Sequence, residues 1–146
     1  FHSVAPALIV KPAAGSQGWG ISIATSAEDL HRQVSRASEE EVLVQEYIEN
    51  PLLLGGSKWD MRIYALILPQ EKDGLVCFLA RDGLARVCSE LYERLGARNQ
   101  HRLTAHLTNY SVNKMSPKYD HRGNPGDGLH GCKRPLAAVL DQLEIE

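Results

Sequence analysis

No apolar run in this 146-residue chain is long enough to cross a bilayer. The longest, "YALIL" and "LVCFLA", fall far short of the roughly 20 residues a spanning helix needs. A basic excess is also lacking. The net charge of -2 argues against a general binder of nucleic acid or of anionic membrane. Positive charge aimed at an acidic partner must then be local. Cysteine is scarce: Cys77, Cys88 and Cys132 form no disulfide pattern, and a reducing, cytosolic setting is expected. His121, His130 and Cys132 match no common zinc spacing. Phe1 to Ser3 give no basic start for a secretory leader, and "VAPALIV" meets Lys11 at once. The chain opens without Met and is expected to be an internal section of something longer. No internal repeat is visible. What is present is the composition of one modest globular domain, 43% hydrophobic and 23% charged.

The pattern of elements predicts an α+β fold. "ALIVKP" reads as a short strand stopped by Pro12, and "GISIA" and "EVLVQEYI" as further strands. Ser26 with Asp29 three residues on predicts a helix start, with Leu30, Val34 and Ala37 on one face. Lys58 to Leu68 is the longest strand candidate. Asp82-Gly83 predicts a hairpin, so residues 58–88 are expected to form a largely antiparallel meander. Residues 89–96 are expected to be helical and 97–105 a polar connection. Residues 115–131, rich in Gly, Pro and Asp, are expected as a mobile loop. Pro135 suits the first turn of a last helix, with Leu136, Val139, Leu140 and Leu143 inward. Cys77 and Cys88 read as core fillers.

Chemistry enters with "KWDMRIY". Strand period puts Lys58, Asp60, Arg62 and Tyr64 on one face and Trp59, Met61 and Ile63 on the other. Two cations flanking a carboxylate suit a polyphosphate. The plainer alternative is a solvated face of routine ion pairs worth about 0–1 kcal/mol each. Lys11 leads into "KPAAGSQGWG", whose glycines can bring backbone N–H groups close to an anion. This loop is neither a P-loop, since no Gly-Lys-Ser/Thr closes it, nor a dinucleotide fingerprint, since a strand follows it. The nonapeptide "HLTNYSVNK" is unusually polar for a strand and unusually poor in Gly and Pro for a loop.

"IVKP", "QGWGI", "VQEYIENPLL", "KWDMRIY", "DGLAR" and "HLTNYSVNK", in this order and spacing, resemble the tubulin tyrosine ligase-like family. The Tyr-Ser version of the nonapeptide is most similar to the polyglutamylases. The resemblance implies a partial ATP-grasp fold, with residues 1–56 as the central lobe and 57–146 as the start of the C-terminal lobe. It also implies an ATP-dependent carboxylate–amine ligase that adds glutamate to tubulin side chains through an acylphosphate. The implied cofactors are ATP and Mg2+, and the implied partners are tubulin or microtubules and free glutamate. The implied location is the cytoplasm and cytoskeleton, extending to cilium, axoneme or basal body.

By the same resemblance Lys11 reaches the phosphates, and Gln17, Gly18, Trp19, Gly20 and Ile21 cover them. Gln45, Glu46, Tyr47 and Ile48 form the hinge along which adenine lies. Lys58, Asp60, Thr108 and Asn109 contact nucleotide, and Arg62 its terminal phosphate. Arg86 lies near the reacting carboxylate, and Tyr110, Ser111 and Lys114 hold the incoming amino acid. Two positions depart from the family: Glu46 stands where a basic residue is frequent, and Trp19 where a smaller or basic one is. The family's late Asp and Glu-x-Asn magnesium ligands have no counterpart, since Asp141, Glu144 and Glu146 lie at the chain end in the expected last helix. The chain alone is therefore expected to be inactive. Two other readings stay open: a non-catalytic ATP-grasp-derived microtubule or ciliary protein, and a tubulin glycylase or other protein-modifying ligase.

Overall fold

The computed structural model describes residues 6–37, 41–70, 74–122 and 130–144. Leu8–Pro12 (β1) lies between Ser22–Ala24 (β2) and Val42–Glu46 (β3), antiparallel to both, with Val10 opposite Ser22 and Val44. A helix, Ala27–Arg36 (α1), follows β2. Its start is as expected: the Ser26 hydroxyl accepts from the Asp29 N–H at 3.1 Å. Its inward face is not. Asp29 is the buried residue, and Val34 is 38% exposed. The Asp29 carboxylate accepts from Gln100 Nε2 at 3.0 Å and Thr25 Oγ1 at 3.3 Å. Those bonds roll the acidic side inward, where its cost of burial is offset.

Leu53–Leu54 (β4) and Ser57–Arg62 (β5) begin a second sheet. Ala65–Gln70 (β6) and Gly74–Leu79 (β7) pair only with each other, and Leu84–Val87 (β8) returns to β5. The single strand expected over 58–68 is thus two strands in different sheets. Asp82-Gly83 closes no hairpin, because β7 and β8 are not paired. It ties the return connection to the last helix instead. Asp82 Oδ1 accepts from the Gly83 and Ala137 N–H groups at 2.7 and 3.2 Å, and the Gly83 carbonyl accepts from Leu136 N–H at 3.0 Å. Only glycine fits there, since a Cβ would collide with the Arg62 carbonyl.

No helix forms over 89–96. Tyr92 donates its N–H to the Gly56 carbonyl at 2.9 Å and its hydroxyl to that of Glu49 at 2.5 Å, which holds the segment extended between the two sheets. A short helix, Leu103–His106 (α2), begins inside the polar connection expected over 97–105, and a second, Tyr110–Asn113 (α3), lies within the nonapeptide. A strand not foreseen, Lys133–Pro135 (β9), joins β8 and leads into Leu136–Gln142 (α4), so Pro135 caps that helix rather than opening it. In the expected loop 115–131, Ser116 is buried, and residues 123–129 lie outside the described residues.

One core cluster joins Leu54, Ala85, Val87, Leu136 and Val139, with Trp59, Leu140 and Leu143 against it. Burial of each large aliphatic side chain contributes about 1.5–3 kcal/mol. The other joins Ala7, Ile23 and Tyr47 with Tyr92, Leu95 and Leu103. Met61 and Ile63, expected inward, are 51% and 54% exposed, because only Trp59 of that face overlies the core. Cys77 is exposed rather than a core filler, whereas Cys88 is buried as expected. Burial pushes the Cys88 thiol up to about 12, so it is no nucleophile at neutral pH. Among the described residues no helix is long and apolar enough to cross a membrane.

Candidate functional site

The nonapeptide is pinned at two points. His106 and Asn113 are each only 1% exposed. Asn113 Oδ1 accepts from the Ser89 N–H and hydroxyl at 2.8 and 2.9 Å, while its Nδ2 donates to the carbonyls of Leu107 and Asn109 at 2.6 and 3.0 Å. His106 Nδ1 shares a 3.1 Å hydrogen bond with the Tyr47 hydroxyl, and its ring meets those of Tyr47 and Tyr92 edge-on. Desolvation, reinforced by the nearby Lys58 charge, holds the His106 imidazole below its ordinary pKa. Between these anchors Thr108, Asn109 and Ser111 are half-buried and Tyr110 is exposed.

The glycine loop rests on that stretch. A Cβ on Gly18 would lie 3.1 Å from both Asn109 Cγ and Val112 Cγ2, and Gly18 itself has φ +83°. The Ser111 hydroxyl donates to the carbonyl of Gln17, which has left-handed φ itself. Gly20 packs against Pro12 so closely that a Cβ would come within 2.7 Å of its ring. Trp19 at the tip is 76% exposed, and Ile21 is half-buried.

Lys11 and Gln45 share a face of their sheet, and Lys11 Nζ donates to Gln45 Oε1 at 3.0 Å. Tyr47, two residues beyond Gln45, carries the Lys58 ammonium 4.0 Å above its ring centroid. The ammonium groups of Lys11 and Lys58 thus approach the same side of the β3 end from different sheets. Burial lowers the Lys58 pKa, which the Asp60 carboxylate partly opposes. Glu46 is exposed and faces the opposite side from Gln45, away from Lys11. With Tyr47, Ile48 and Glu49 it lines an open cleft of about 520 Å³.

Asp60 and Arg86 are directly opposed in the β5–β8 register and paired twice, Arg86 Nε to Oδ1 at 2.8 Å and Nη2 to Oδ2. This two-point contact raises the Arg86 pKa further. Arg62 is not brought into the group: it is exposed, at the strand end, roughly 13 Å of extended chain beyond Lys58. Lys114 is exposed, 5.5 Å from the Tyr110 ring centroid. One cation escaped the sequence reading. Lys133 sits opposite Arg86 in the β8–β9 register, its ammonium 3.8 Å from the Tyr110 centroid. The "GCKRP" stretch bears no apolar alternation, so β9 carried no signal. Among the described residues no group of three or more His, Cys, Asp or Glu comes together as a metal site.

The fold and this face define a mixed α/β unit in which a glycine loop rests on a polar helical turn and two lysines flank the end of β3. The profile of the Tubulin-tyrosine ligase family matches residues 1–145, and the chain belongs to that family, as "HLTNYSVNK" and its companion motifs led us to expect. It is 41% identical to Tubulin polyglutamylase ttll-11 of Caenorhabditis elegans over 93% of its length. It is 38% identical to Tubulin polyglutamylase TTLL11 of Homo sapiens over 94%, and 40% identical to Tubulin polyglutamylase TTLL7 of Mus musculus over 93%. The chain spans only 18%, 19% and 14% of those relatives, respectively.

Proposed function

We propose that the chain supplies the nucleotide-binding and part of the amino-acid-binding face of an ATP-dependent ligase that adds glutamate to tubulin side chains. The relatives named as tubulin polyglutamylases support the activity. The observation that carries the site is the approach of Lys11 and Lys58 to one side of the β3 end, beside a glycine loop resting on Asn109 and Val112. In this reading residues 1–56 are the ATP-grasp central lobe and residues 57–146 begin the C-terminal lobe. ATP lies between the glycine loop and the β5 face, with adenine along Gln45 to Ile48. The protein works in the cytoplasm on microtubules, including those of cilia.

Chemistry follows from positioning. The γ-phosphoryl group passes from ATP to a tubulin carboxylate oxygen, releasing ADP. The amine nitrogen of glutamate then attacks the acyl carbon, an amide bond forms, and phosphate leaves with its electron pair. Lys11 and Lys58 neutralise charge on the transferred group, and the loop amides add fixed dipoles. Thr108, Asn109, Tyr110, Ser111 and Lys114 hold the reacting ends in register. The described residues do not fit a magnesium site, which needs oxygen ligands from carboxylates as well as phosphates. No step here is assigned to the metal.

The test uses the full-length protein with microtubules, ATP and labelled glutamate or glycine. Lys11→Ala and Lys58→Ala are expected to lower incorporation roughly ten- to over a hundred-fold, the scale of a lost hydrogen bond to a charged group. Equal incorporation by all three proteins would remove the site assignment. No incorporation by the unmutated protein would favour a binding protein over a ligase.

A further inference from the structure

Consecutive residues of β9 point to opposite faces of their sheet. Lys133 is opposed to Arg86 and shares its face, whereas Arg134 is opposed to Ala85 and turns with it toward the Leu136 core. A guanidinium on that side normally brings a carboxylate with it, because burying an unpaired cation is costly. Arg134 has none: no ion pair among the described residues involves it. Its Nε donates to the Gly131 carbonyl at 2.8 Å and its Nη1 to Gln142 Oε1 at 3.4 Å, both uncharged, while Nη2 donates to no described residue. Burial holds its pKa below the ordinary arginine value. Half-buried Arg134 lines a cleft of about 280 Å³ together with Ser57, Lys118, Asp120 and Gln142, room for several waters or a carboxylate. Lys118 is exposed and is likewise in no ion pair among the described residues. Asp120, by contrast, is claimed by Arg122, whose N–H, Nε and Nη2 reach it at 2.9, 3.0 and 3.1 Å. Two cations thus line this cleft without a matching carboxylate.

The chemistry of the proposed reaction says which anion fits, and the choice of occupant rests on that ligase reading. Joining glutamate to an acceptor side chain consumes one carboxylate and brings two, so every turnover leaves the acceptor more acidic. β9 is the edge of its sheet. A chain leaving the Arg86 face can pass round that edge and reach Arg134 within a few residues, at about 3.3 Å each. The planar guanidinium fork matches the two oxygens of a carboxylate. We propose that the Arg134–Lys118 cleft is a second binding site for the acceptor, taking carboxylates of an acidic chain on the face turned away from Arg86. Such a site favours acceptors that already carry added glutamates.

Binding of fluorescein-labelled hexaglutamate to the full-length protein, followed by anisotropy, tests it beside steady-state kinetics with microtubules, ATP and labelled glutamate. Arg134→Gln should weaken hexaglutamate binding roughly ten- to a hundred-fold, and Lys118→Gln about two- to five-fold. Arg134→Lys, which keeps the charge without the fork, should fall between Arg134→Gln and the unmutated protein. The KM values for ATP and for free glutamate should change less than about two-fold. Lys118→Gln alters an exposed side chain, so it decides the matter if Arg134→Gln does not fold. Unchanged hexaglutamate affinity in both neutral variants overturns the inference. So does displacement of hexaglutamate by inorganic phosphate at lower concentration than by acetate, which would make the cleft a phosphate site. A rise in the KM for ATP or free glutamate as large as the loss of hexaglutamate binding would assign both residues to the active face and overturn it too. The binding measurement needs no turnover. If the unmutated protein incorporates no glutamate but hexaglutamate binding falls as expected, the ligase reading fails and the acidic-chain site stands. If it incorporates glutamate and only the hexaglutamate results disagree, the ligase reading stands and this inference fails.

Discussion

Two stretches of this chain reverse the usual rule of apolar inside and polar outside. In the nonapeptide, His106 and Asn113 are nearly inaccessible. In the β6–β7 ribbon, Leu66, Ile67, Leu75, Phe78 and Leu79 are all exposed, Leu75 by 73%. The first reversal is stable because its polar atoms find partners within the fold, apart from His106 Nε2. The second is tolerated because a hairpin satisfies its backbone whether or not its faces are covered. Buried polarity here shapes a site, whereas exposed apolarity contributes little to the hold of the ribbon on the rest. Substitutions that probe the two stretches should therefore differ sharply in cost.

The largest effect is expected at Asn113. Asn113→Ala leaves the Ser89 N–H and the Leu107 carbonyl without their buried partner. At about 1–3 kcal/mol per unsatisfied group, the loss should total about 2–6 kcal/mol. Amide hydrogen exchange would report it as easier opening across 107–113 and at Ser89. An opening free energy unchanged within about 0.5 kcal/mol would mean that water replaces the side chain, and the buried-anchor account would fail.

How much of this was legible beforehand follows the same division. Local chemistry was readable in the Ser26 cap and the glycine loop, whereas the alternation in "KWDMRIY" put only Trp59 of its apolar face against the core. Pairing partners were not. Asp82-Gly83 has the composition of a hairpin turn, yet tertiary hydrogen bonds to α4 give it another use. The 58–68 run has no breaker residue at Ile63 or Tyr64, so its division between two sheets left no mark. Within the candidate site, the residues came from motifs, but their division by α3 into a loop side and a Tyr110 side came only from the fold. The place of Lys133 was not legible because it depends on register with Arg86, 47 positions away in sequence.

A smaller effect is expected from protonating His106. Its folded pKa lies below the ordinary 6.5, mainly through desolvation and secondly through Lys58. The unfolded chain therefore binds the proton more readily than the folded one. Stability is fully present above pH 6.5, and declines as pH falls below 6.5 until the folded pKa is passed. One proton gives a slope of at most about 1.4 kcal/mol per pH unit. Unfolding followed against pH, with His106→Gln alongside, would separate this contribution. If both proteins show the same acid-side slope, His106 is not its source.

The smallest effect belongs to the ribbon. Leu75→Ser removes an apolar side chain that is mostly in water, opposite Pro69 in the β6–β7 pairing. Little buried area is lost, so the opening free energy of the ribbon amides should move by no more than about 0.5 kcal/mol. Hydrogen exchange at Leu68 and Val76, directly opposed in the ladder, would measure it. A shift beyond 2 kcal/mol, the scale of removing a large aliphatic group from a core, would mean that Leu75 is covered in solution. The ribbon would then belong with the nonapeptide, as a surface held by packing against something else, and the contrast between the two stretches would disappear.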